Sequence, residues 1–392
     1  MQSPTAIKFL FDRNKLIIMG SNKKYKILLT GGGTGGSVAP LLAVAEELKI
    51  PLTPADIGDN NFEFLWLGTK FGPEREMVAS AGSAQVRIKF KAISGGKLRR
   101  YFSFKNLVDI FKIKLGFFQA IFVMLKWRPD LIISAGSFIS VPVVWAAWIL
   151  GVPVLIHQQD IRAGLANKLM APFAKIVTVT FEKSLVDYGK KAKWIGNPVR
   201  QSLQLATRNS QLATQFGLKN NLPIVLIVGG GTGAEVINKL VVESLEELTK
   251  FCHIIHVAGK NKSNLSYGLR VMGYEVYEFL NVEKMAEALG AADLVVTRAG
   301  LGFLSELSYL GKPSIIIPIP DSHQEANAEF FKSKKAAIVI DQKYLAAASF
   351  TQIIKDLLAD EKRLGQLEVN IKNAMKQGAS QEMAKIIKNL LN

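Results

Sequence analysis

Short apolar runs alternate with longer amphipathic stretches along the first half of the chain. The amphipathic stretches repeat apolar residues at helical spacing, as from Leu41 to Leu48, where Glu46 and Glu47 are expected to face solvent. Strands that alternate with helices are typical of βαβ units and a parallel sheet. The apolar runs predict β-strands at residues 25–30, 62–67, 86–90, 131–134, 154–157 and 176–179.

The second half of the chain repeats this opening. Gly196-Asn197-Pro198 interrupts the first series, and a polar segment then leads to a new strand, a new glycine loop and a helix at 234–248. A chain of 392 residues is also long enough for two domains. We therefore predict an N-terminal extension, 1–22, followed by two similar Rossmann-like α/β domains, 23–197 and 198–370. The second series of strands is predicted at 223–228, 253–258, 274–277, 294–297, 314–318 and 337–340.

Residues 131–156 contain no charged side chain and are long enough to span a bilayer. Gly136, Pro142, Gly151 and Pro153 interrupt the segment at intervals that suit a strand, a loop, a helix and a second strand. Buried parallel strands also read as continuous apolar runs. We therefore interpret the segment as part of a soluble core rather than as a transmembrane helix.

Both domains open on a strand that ends in glycines before a helix. Such a loop offers backbone N–H groups at a helix N-terminus, where a diphosphate or a sugar can approach closely. The acid that would hold the ribose of a nicotinamide cofactor is missing, because the next strands end in Gly68-Thr69-Lys70 and Gly259-Lys260. This disfavours an NAD(P)-dependent oxidoreductase, while a purely structural role of the glycines stays open. The positions that fit the dinucleotide-binding fingerprint are Gly31, Gly33 and Gly36, and then Gly229, Gly231 and Ala234.

A third glycine turn follows the strand predicted at 294–297. Gly300 and Leu301 begin a helix whose N-terminus would favour an anionic diphosphate. Glu306, in the first turns of that helix, is placed to accept hydrogen bonds from ribose hydroxyls, although an acid there also suits the helix dipole by itself. A polar cluster that contains Gln324 follows the next strand, at the edge where open α/β sheets bind ligands.

Charge and composition narrow the choice of partner. Lys and Arg exceed Asp and Glu by 49 to 32, and the net charge of +17 favours an anionic partner. No RNA-recognition or zinc-finger pattern accompanies the basic residues, so phosphorylated substrates and acidic lipids are preferred over nucleic acid. Cys252 is the only cysteine, which excludes an intramolecular disulfide. Four histidines without ligand spacing predict no dedicated metal site, and assistance by a divalent cation is left open.

Seven short segments stand out along residues 25–375: GGTGG at 32–36, ISG at 93–95, GVPVLIHQQ at 151–159, AGLANK at 163–168, GNPVR at 196–200, RAGLGFLSE at 298–306 and QEANA at 324–328. Their sequences and their order resemble the MurG family of UDP-N-acetylglucosamine transferases. The resemblance implies a GT-B fold, with two Rossmann-like domains and a cleft between them. It also implies that a C-terminal helix, within 371–392, returns to the first domain.

The resemblance implies a function as well. A GT-B enzyme of this family binds UDP-N-acetylglucosamine (UDP-GlcNAc) mainly in the second domain and a lipid-linked muramyl-peptide acceptor at the first. The implied reaction is an inverting transfer of GlcNAc to the muramyl 4-hydroxyl of lipid I, which gives lipid II for peptidoglycan synthesis. That product serves cell wall biogenesis, cell shape, the cell cycle and cell division. The implied location is the cytoplasmic face of the cell membrane, as a peripheral membrane protein.

Residue roles carry over by position. Glu306 would hold the ribose, Leu280 would present its backbone to uracil, and Gln324 would bind sugar hydroxyls. Arg200 would lie at the diphosphate, where charge develops as UDP leaves. The donor contacts implied are Thr34, Gly35, Gly36, Asp160, Arg200, Gly231, Thr232, Leu280, Gly300, Leu301, Glu306 and Gln324. The acceptor and diphosphate loops implied are those of Gly33, Ser37, Gly136 and Ser137, with Thr34, Gly35 and Gly36 also facing the acceptor.

The sequence departs from the family pattern where a base is expected. Ser37 stands in place of the usual histidine, and a serine hydroxyl titrates too high to be a general base near neutral pH. Residues 157–160 read HQQD instead of His-Glu-Gln-Asn, which makes Asp160 the first candidate for the base and His157 the second. A positioning role for Asp160 stays open. Ser137 replaces a usual glycine, and these altered loops leave open a different lipid acceptor or a nucleotide-sugar sensor.

A long apolar segment follows the basic cluster at 97–100. Its uncharged core, 115–125, is too short to span a bilayer. A cationic and strongly apolar helix suits an anionic membrane surface, where a lipid-linked acceptor is found, and it equally suits burial against the sheet on one side. Both interpretations can hold together. The apolar stripe consists of Phe104, Leu107, Val108, Phe111, Leu115, Phe118, Phe122 and Leu125.

Overall fold

Two units make up the computed structural model, which describes residues 24–33, 35–49, 62–81, 86–96, 104–200, 203, 215–218, 222–230, 233–259 and 271–392. The described residues up to 200 form the first unit together with 377–392, and those from 203 to 376 form the second. The extension at 1–22 and the basic cluster at 97–100 lie outside the described residues. So do three of the candidate site residues, Thr34, Gly231 and Thr232.

Seven parallel strands form the sheet of the first unit, in the order β3-β2-β1-β4-β5-β6-β7. The strands β1 and β4 are neighbours although they are not consecutive, with Ile27 opposite Leu131. This is the doubly wound order, and open α/β sheets bind ligands at the carboxyl edge of such a switch point. The strands are Tyr25–Thr30 (β1), Phe62–Gly68 (β2), Ile88–Ala92 (β3), Leu131–Ser134 (β4), Val154–Gln158 (β5), Ile176–Val179 (β6) and Ala192–Trp194 (β7).

Helices cover both faces of this sheet. They are Ala39–Leu48 (α1), Glu74–Ala81 (α2), Phe104–Trp127 (α3), Ser140–Ile149 (α4), Leu165–Met170 (α5) and, near the end of the chain, Ala379–Leu391 (α12). Successive side chains of a strand point to opposite faces. Leu28 therefore packs in one core cluster with α3 and α4, while Ile27 and Leu29 pack in another with α1 and α12. Burial on both faces explains why these strands read as continuous apolar runs.

The helix α12 completes the first unit. Met383 and Ile387 are buried in the cluster that contains α1. The Ser380 Oγ accepts a hydrogen bond from the N–H of Val199 (3.2 Å) and donates one to its carbonyl oxygen (3.0 Å). Residues 198–200 therefore stay with the first unit, although the sequence suggested a boundary before them. Residues 371–376 belong to the second unit, so the returning segment is shorter than the sequence suggested.

One expectation about α1 was wrong. Glu47 is buried rather than solvent-facing, because α12 covers it and Gln381 donates a hydrogen bond to its carboxylate (Nε2 to Oε2, 3.3 Å). A local amphipathic pattern does not reveal a helix that arrives from the far end of the chain.

The uncharged segment at 131–156 contains β4, α4 and β5, as its glycines and prolines predicted. Among the helices of the described residues, none is both long and apolar enough to cross a membrane.

Six parallel strands form the sheet of the second unit, in the order β10-β9-β8-β11-β12-β13. This is the order of the first six strands of the first unit, so the repeat in the sequence is a repeat of topology. The strands are Ile224–Val228 (β8), His253–Val257 (β9), Tyr274–Tyr277 (β10), Leu294–Thr297 (β11), Ser314–Ile316 (β12) and Ile338–Val339 (β13). The helices are Glu235–Leu248 (α6), Val282–Ala291 (α7), Leu301–Leu310 (α8), His323–Ser333 (α9), Ala347–Ala359 (α10) and Glu361–Ala374 (α11).

Candidate functional site

The glycine loop between β1 and α1 lies at the switch point of the first sheet. The Gly32 N–H donates a hydrogen bond to Ser37 Oγ (3.1 Å), and the Gly33 N–H donates one to Glu74 Oε2 (3.1 Å). These two amides are thus satisfied inside the protein. Ser37 is buried, and its hydroxyl shapes the loop from within.

Glu74 contacts the first glycine loop, and sequence analysis did not identify it. It begins α2 and is fully buried. Besides Gly33, its carboxylate accepts hydrogen bonds from the Thr69 N–H (2.7 Å) and the Thr69 hydroxyl (2.5 Å), both at Oε1. A Cβ atom at Gly32 would collide with the same carboxylate, which would then have to shift. Both carboxylate oxygens of Glu74 thus accept hydrogen bonds.

The loop after β4 meets the first glycine loop across the switch point. Ser137 Oγ donates a hydrogen bond to the carbonyl oxygen of Gly32 (2.7 Å). Gly136 and Ser137 both have positive φ, at 93° and 89°, a region that favours glycine and is costly for serine. The neighbouring Phe138 ring would lie 2.9 Å from a Cβ at Gly33. The two implied acceptor loops, which contain Gly33, Ser37, Gly136 and Ser137, therefore lie next to each other.

His157, near the end of β5, is fully buried. Its Nε2 lies 2.8 Å from Asn197 Oδ1 and its Nδ1 lies 3.0 Å from Thr178 Oγ1. Burial lowers the pKa of His157 to about 4, against a smaller opposite effect of the Asn197 hydrogen bond. The imidazole is therefore neutral at neutral pH, donating to Asn197 and accepting from Thr178. In this arrangement His157 joins β5 to β6 and to the segment at Asn197, and offers no ring nitrogen to a substrate.

Asp160 lies in the loop after β5, and a neighbouring glutamine fixes the backbone of that loop. Gln158 Nε2 donates to the carbonyl oxygens of Asp160 (2.7 Å) and Arg162 (3.3 Å). Gln158 Oε1 accepts from Asn167 Nδ2 (2.5 Å) and from Tyr188 Oη (2.9 Å). Burial raises the pKa of the Tyr188 phenol, which keeps it protonated as a donor. Asp160 itself is half-buried.

The glycine loop of the second unit follows β8. Gly230 and Gly233 have φ of 94° and 70°, and the Gly233 N–H donates to the Gly230 carbonyl oxygen (2.9 Å). A Cβ at Gly229 would lie 2.5 Å from the Ala234 nitrogen, and one at Gly233 would collide with the Ala258 carbonyl oxygen. Among the described side chains, none accepts a hydrogen bond from the N–H of Gly229 or Gly230.

A second buried histidine supports this loop. His256 Nε2 lies 3.1 Å from Asn238 Oδ1, and its Nδ1 lies 2.9 Å from Tyr274 Oη. Asn238 Nδ2 in turn donates to the carbonyl oxygen of Ala258, the atom that excludes a side chain at Gly233 (2.9 Å). Burial lowers the pKa of His256 to about 4, so this imidazole is also neutral at neutral pH.

The turn between β11 and α8 presents a helix N-terminus. Gly300 precedes the first helical residue, and a Cβ atom there would meet nothing within 4 Å. The first amides of a helix lack intrahelical acceptors, and they bind anions readily. Leu301 and Glu306 are both buried, at 2% and 5% exposure. Arg298 anchors the turn by donating from Nη1 to the carbonyl oxygens of Ile317 (3.1 Å) and Pro318 (3.2 Å).

Gln324 connects this turn to the end of the neighbouring strand. Its Oε1 accepts hydrogen bonds from the N–H groups of Ala299 and Ile319, both at 3.2 Å. Its Nε2 has no hydrogen-bond partner in the described part of the chain, which leaves a donor beside the N-terminus of α8.

The structure brings the donor-side candidates of the second unit only partly together. Gly300, Leu301, Glu306 and Gln324 gather around the ends of β11 and β12. Leu280 is buried in the loop between β10, the edge strand, and α7. Arg200 belongs to the first unit. Within the described residues, no group of three or more His, Cys, Asp or Glu side chains could hold a metal ion.

Comparison with known proteins agrees with this geometry. Residues 27–179 match the glycosyltransferase family 28 N-terminal domain, and residues 224–390 match the glycosyltransferase family 28 C-terminal domain. Among solved structures, the crystal structure of Acinetobacter baumannii MurG is similar, with a TM-score of 0.65 and 24% sequence identity over 93% of this chain and 99% of that one. This similarity shows the fold, a GT-B architecture of two parallel-sheet α/β domains.

Two curated relatives carry the same name, UDP-N-acetylglucosamine–N-acetylmuramyl-(pentapeptide) pyrophosphoryl-undecaprenol N-acetylglucosamine transferase. The protein from Clostridium kluyveri is 38% identical over 93% of this chain and 98% of its own length. The protein from Legionella pneumophila strain Paris is 35% identical over 92% of this chain and 96% of its own length. Both domains and almost the whole length of these relatives are matched, so the chain belongs to glycosyltransferase family 28 and, within it, to the MurG family.

Proposed function

We propose that this protein transfers GlcNAc from UDP-GlcNAc to the muramyl 4-hydroxyl of lipid I and so forms lipid II. The observation that carries this proposal is the similarity over 98% of the length of a relative named for that transfer. The reaction is a single inverting displacement, in which the acceptor hydroxyl attacks the anomeric carbon as UDP leaves. It belongs to peptidoglycan synthesis, and through it to cell wall biogenesis, cell shape and division.

The second unit binds the donor. The amides at the N-terminus of α8 face the diphosphate, where negative charge grows in the transition state. Glu306 holds the ribose hydroxyls, Gln324 donates its Nε2 to a hydroxyl of the sugar, and the backbone at Leu280 meets uracil. The open Cβ position at Gly300 and the unused amide nitrogen of Gln324 support this assignment.

The first unit binds the acceptor and supplies the base. Asp160 takes the proton from the attacking hydroxyl, since Ser37 is occupied in the glycine loop and His157 is sealed between Asn197 and Thr178. His157 is thus a positioning residue.

We further propose that α3 binds an anionic membrane surface from the cytoplasmic side. One face of α3 is buried in the core through Ala120, Val123 and Met124. The opposite face exposes a contiguous set of large apolar side chains, of which three phenylalanines are each 65% exposed. Exposed apolar surface interspersed with lysines suits the headgroup region of a membrane. The most exposed members of this face are Phe111, Phe118 and Phe122.

Liposome flotation tests the membrane proposal. At low salt the protein should float with vesicles that contain an anionic lipid, and Phe118→Ser with Phe122→Ser should abolish most of that binding. Val369→Ser, at an exposed apolar position of the second unit, is the matched control and should float normally. Wild-type protein that ignores anionic vesicles would refute this part.

The experiment that tests the transfer itself is UDP release from UDP-GlcNAc, with and without a soluble lipid I analogue. Release that depends on the analogue, together with a disaccharide product, supports the proposal. Donor binding without transfer would show that the acceptor is a different lipid or that the protein is a sensor. In that case a screen of other lipid-linked acceptors would follow.

A further inference from the structure

The carboxamide of Gln158 is the centre of a set of hydrogen bonds beside the proposed base. Gln158 is 2% exposed, and its Nε2 donates to the carbonyl oxygens of Asp160 and Arg162. Its Oε1 accepts hydrogen bonds from Asn167 Nδ2 and from Tyr188 Oη. A carboxamide has two N–H bonds to donate and two lone pairs that accept, so all four positions are used. The orientation of this side chain, and with it the backbone at Asp160, therefore depends on both donors.

Tyr188 belongs to a segment between β6 and β7 that is anchored at both of its sides. The Tyr188 N–H donates to the carbonyl oxygen of Leu185 (3.3 Å), and both side chains pack against the core cluster that contains α3 and α4. In the same segment, Ser184 Oγ donates to the carbonyl oxygen of Ile161 (3.3 Å), in the loop after β5 that carries Asp160. This segment therefore connects the core of the first unit to the loop of the proposed base.

The ring of Tyr188 borders a cavity of about 420 Å³ that opens to solvent. Pro172 and Val177 contribute apolar surface to the cavity, and the exposed Lys168 and Lys191 also line it. Apolar space made by shortening a side chain binds small aromatic molecules. A molecule of the size of the tyrosine ring can therefore reach the place of that ring when the side chain is shortened.

We propose that Tyr188 is a positioning residue for the general base: its hydroxyl, through Gln158, holds the loop of Asp160 in the geometry that proton transfer needs. The inference rests on the proposed function, in which Asp160 takes the proton from the acceptor hydroxyl. Without the Tyr188 hydroxyl, one lone pair of Gln158 loses its donor, and the carboxamide can turn away from the two carbonyl oxygens. A general base must lie within hydrogen-bond reach of the proton that it takes, so a shift of this loop lowers turnover.

The first test removes the hydroxyl and keeps the ring. Tyr188→Phe should lower kcat with the lipid I analogue by about tenfold, because one neutral hydrogen bond is lost. The KM for UDP-GlcNAc should stay unchanged, since the donor binds in the second unit. Tyr344→Phe is the matched control, because it removes the hydroxyl of a tyrosine of the second unit that is 82% exposed, and its kcat should equal that of wild type.

A double-mutant cycle tests whether Tyr188 acts through Asp160. Residues that act as one unit show non-additive effects on turnover, whereas independent residues show effects that multiply. In the Asp160→Ala background, Tyr188→Phe should therefore change kcat little. A loss as large as the one seen in the wild-type background would contradict the proposal, because Tyr188 would then act without the carboxylate.

Chemical rescue separates the hydroxyl of Tyr188 from its packing. Tyr188→Ala shortens the side chain and enlarges the cavity, and added phenol should raise its kcat several-fold by returning a hydroxyl to Gln158. Toluene has the same ring without a hydroxyl and should not raise kcat. Equal rescue by the two molecules would assign Tyr188 a packing role and would overturn the inference.

Folded Tyr188→Phe protein with the kcat of wild type would also overturn the inference, whether or not Tyr188→Ala folds. That result is distinguishable from a failure of the proposed function. If the proposed transfer is wrong, wild-type protein shows no UDP release that depends on the lipid I analogue. If only the positioning role is wrong, wild-type protein and Tyr188→Phe release UDP equally well with the analogue.

Discussion

The first and second units each begin with a strand that runs into glycines, yet the two loops satisfy their amides differently. In the first unit, Ser37 and Glu74 accept hydrogen bonds from Gly32 and Gly33. In the second unit, the N–H groups of Gly229 and Gly230 meet no acceptor among the described side chains, and a Cβ atom at Gly229 or Gly233 would collide with backbone atoms. The two loops share a fingerprint because both need close packing at a helix N-terminus, and they differ in the side chains that accept hydrogen bonds from their described amides.

The two units also share an arrangement of one buried histidine. Each has a fully buried histidine between an asparagine carboxamide and a hydroxyl: His157 with Asn197 and Thr178, and His256 with Asn238 and Tyr274. A neutral imidazole can donate through one nitrogen and accept through the other, so it satisfies two buried polar groups at once. In the proposed function, the first unit carries the acceptor chemistry and the second carries the donor site, and each unit contains one such buried, neutral histidine.

The largest effect is expected from replacing Asp160, the proposed base of the first unit. Asp160→Ala should lower kcat by at least about 100-fold, because general base catalysis typically contributes that much, while the affinity for UDP-GlcNAc in the second unit stays the same. Steady-state kinetics and donor titration measure the two effects separately. Glu182→Ala, at an exposed acid of the same unit, is the control. Turnover close to wild type in Asp160→Ala would remove this residue from the chemistry.

The buried histidines, one in each unit, predict that the stability of the protein depends on pH. The pKa of each is lowered from 6.5 to about 4 in the folded protein, so the unfolded chain binds more protons below pH 6.5. Stability is therefore fully present above pH 6.5 and is lost as the pH falls toward 4, by about 2 kcal/mol per histidine between pH 7 and pH 5. Urea unfolding at the two pH values measures the loss.

Replacing each histidine tests whether it causes this loss of stability at low pH. His157→Asn and His256→Asn should each be less stable at pH 7 and should each show a smaller pH dependence than wild type. His323→Asn, at an exposed position, should leave the pH dependence unchanged. If stability changes equally with pH in all three variants, groups other than these histidines cause the acid sensitivity.

A smaller effect is expected from replacing Glu306, the residue proposed to bind the ribose of the donor. Glu306→Gln should raise the KM for UDP-GlcNAc about tenfold, in line with the loss of a hydrogen bond to a charged group, and should change kcat little. The variant should also lose the preference for UDP over its 2′,3′-dideoxy analogue. Glu325→Gln, at an exposed acid of α9, is the control. If the variant still prefers UDP over the dideoxy analogue, Glu306 does not bind the ribose hydroxyls.

The smallest effect is expected from the hydrogen bond between Ser137 and Gly32, which joins two loops of the first unit. Ser137→Ala keeps the positive φ and loses the hydrogen bond to the Gly32 carbonyl oxygen, so it should destabilise the protein by about 1 kcal/mol. Ser137→Gly loses the same bond but relieves the strained φ, so its stability should be close to that of wild type. If both variants lose the same stability in urea unfolding, the strain at this position is negligible.

Much of the fold follows from the sequence. The alternation of apolar runs and helical periodicity placed twelve of the thirteen strands of the described residues within a few residues, because buried parallel strands read as continuous apolar runs. The strand β7 was missed, since three residues with a lysine at the centre, Ala192-Lys193-Trp194, carry almost no pattern. Its place in the sheet is set by pairing with β6, which is a tertiary effect.

The site was less predictable. The glycines of the site were predicted because a run of glycines after an apolar strand is visible in the sequence. Glu74 was not, because it lies 41 residues from Gly33 and looks like an ordinary acid at a helix start. His157 looked like a candidate base for the converse reason: residue type is visible in a sequence, and burial between two partners is not. The left-handed backbone at Ser137 has no sequence signal beyond the glycine that the family usually has there.

The return of α12 to the first unit has a consequence for how the protein is made. The second unit is inserted between two parts of the first, so the ribosome completes the chain of the second unit before it releases the segment that contains Met383 and Ile387. Until that segment emerges, one face of the earlier sheet is covered by α1 but lacks the cover that α12 provides. The unit synthesised first is therefore the unit that finishes folding last.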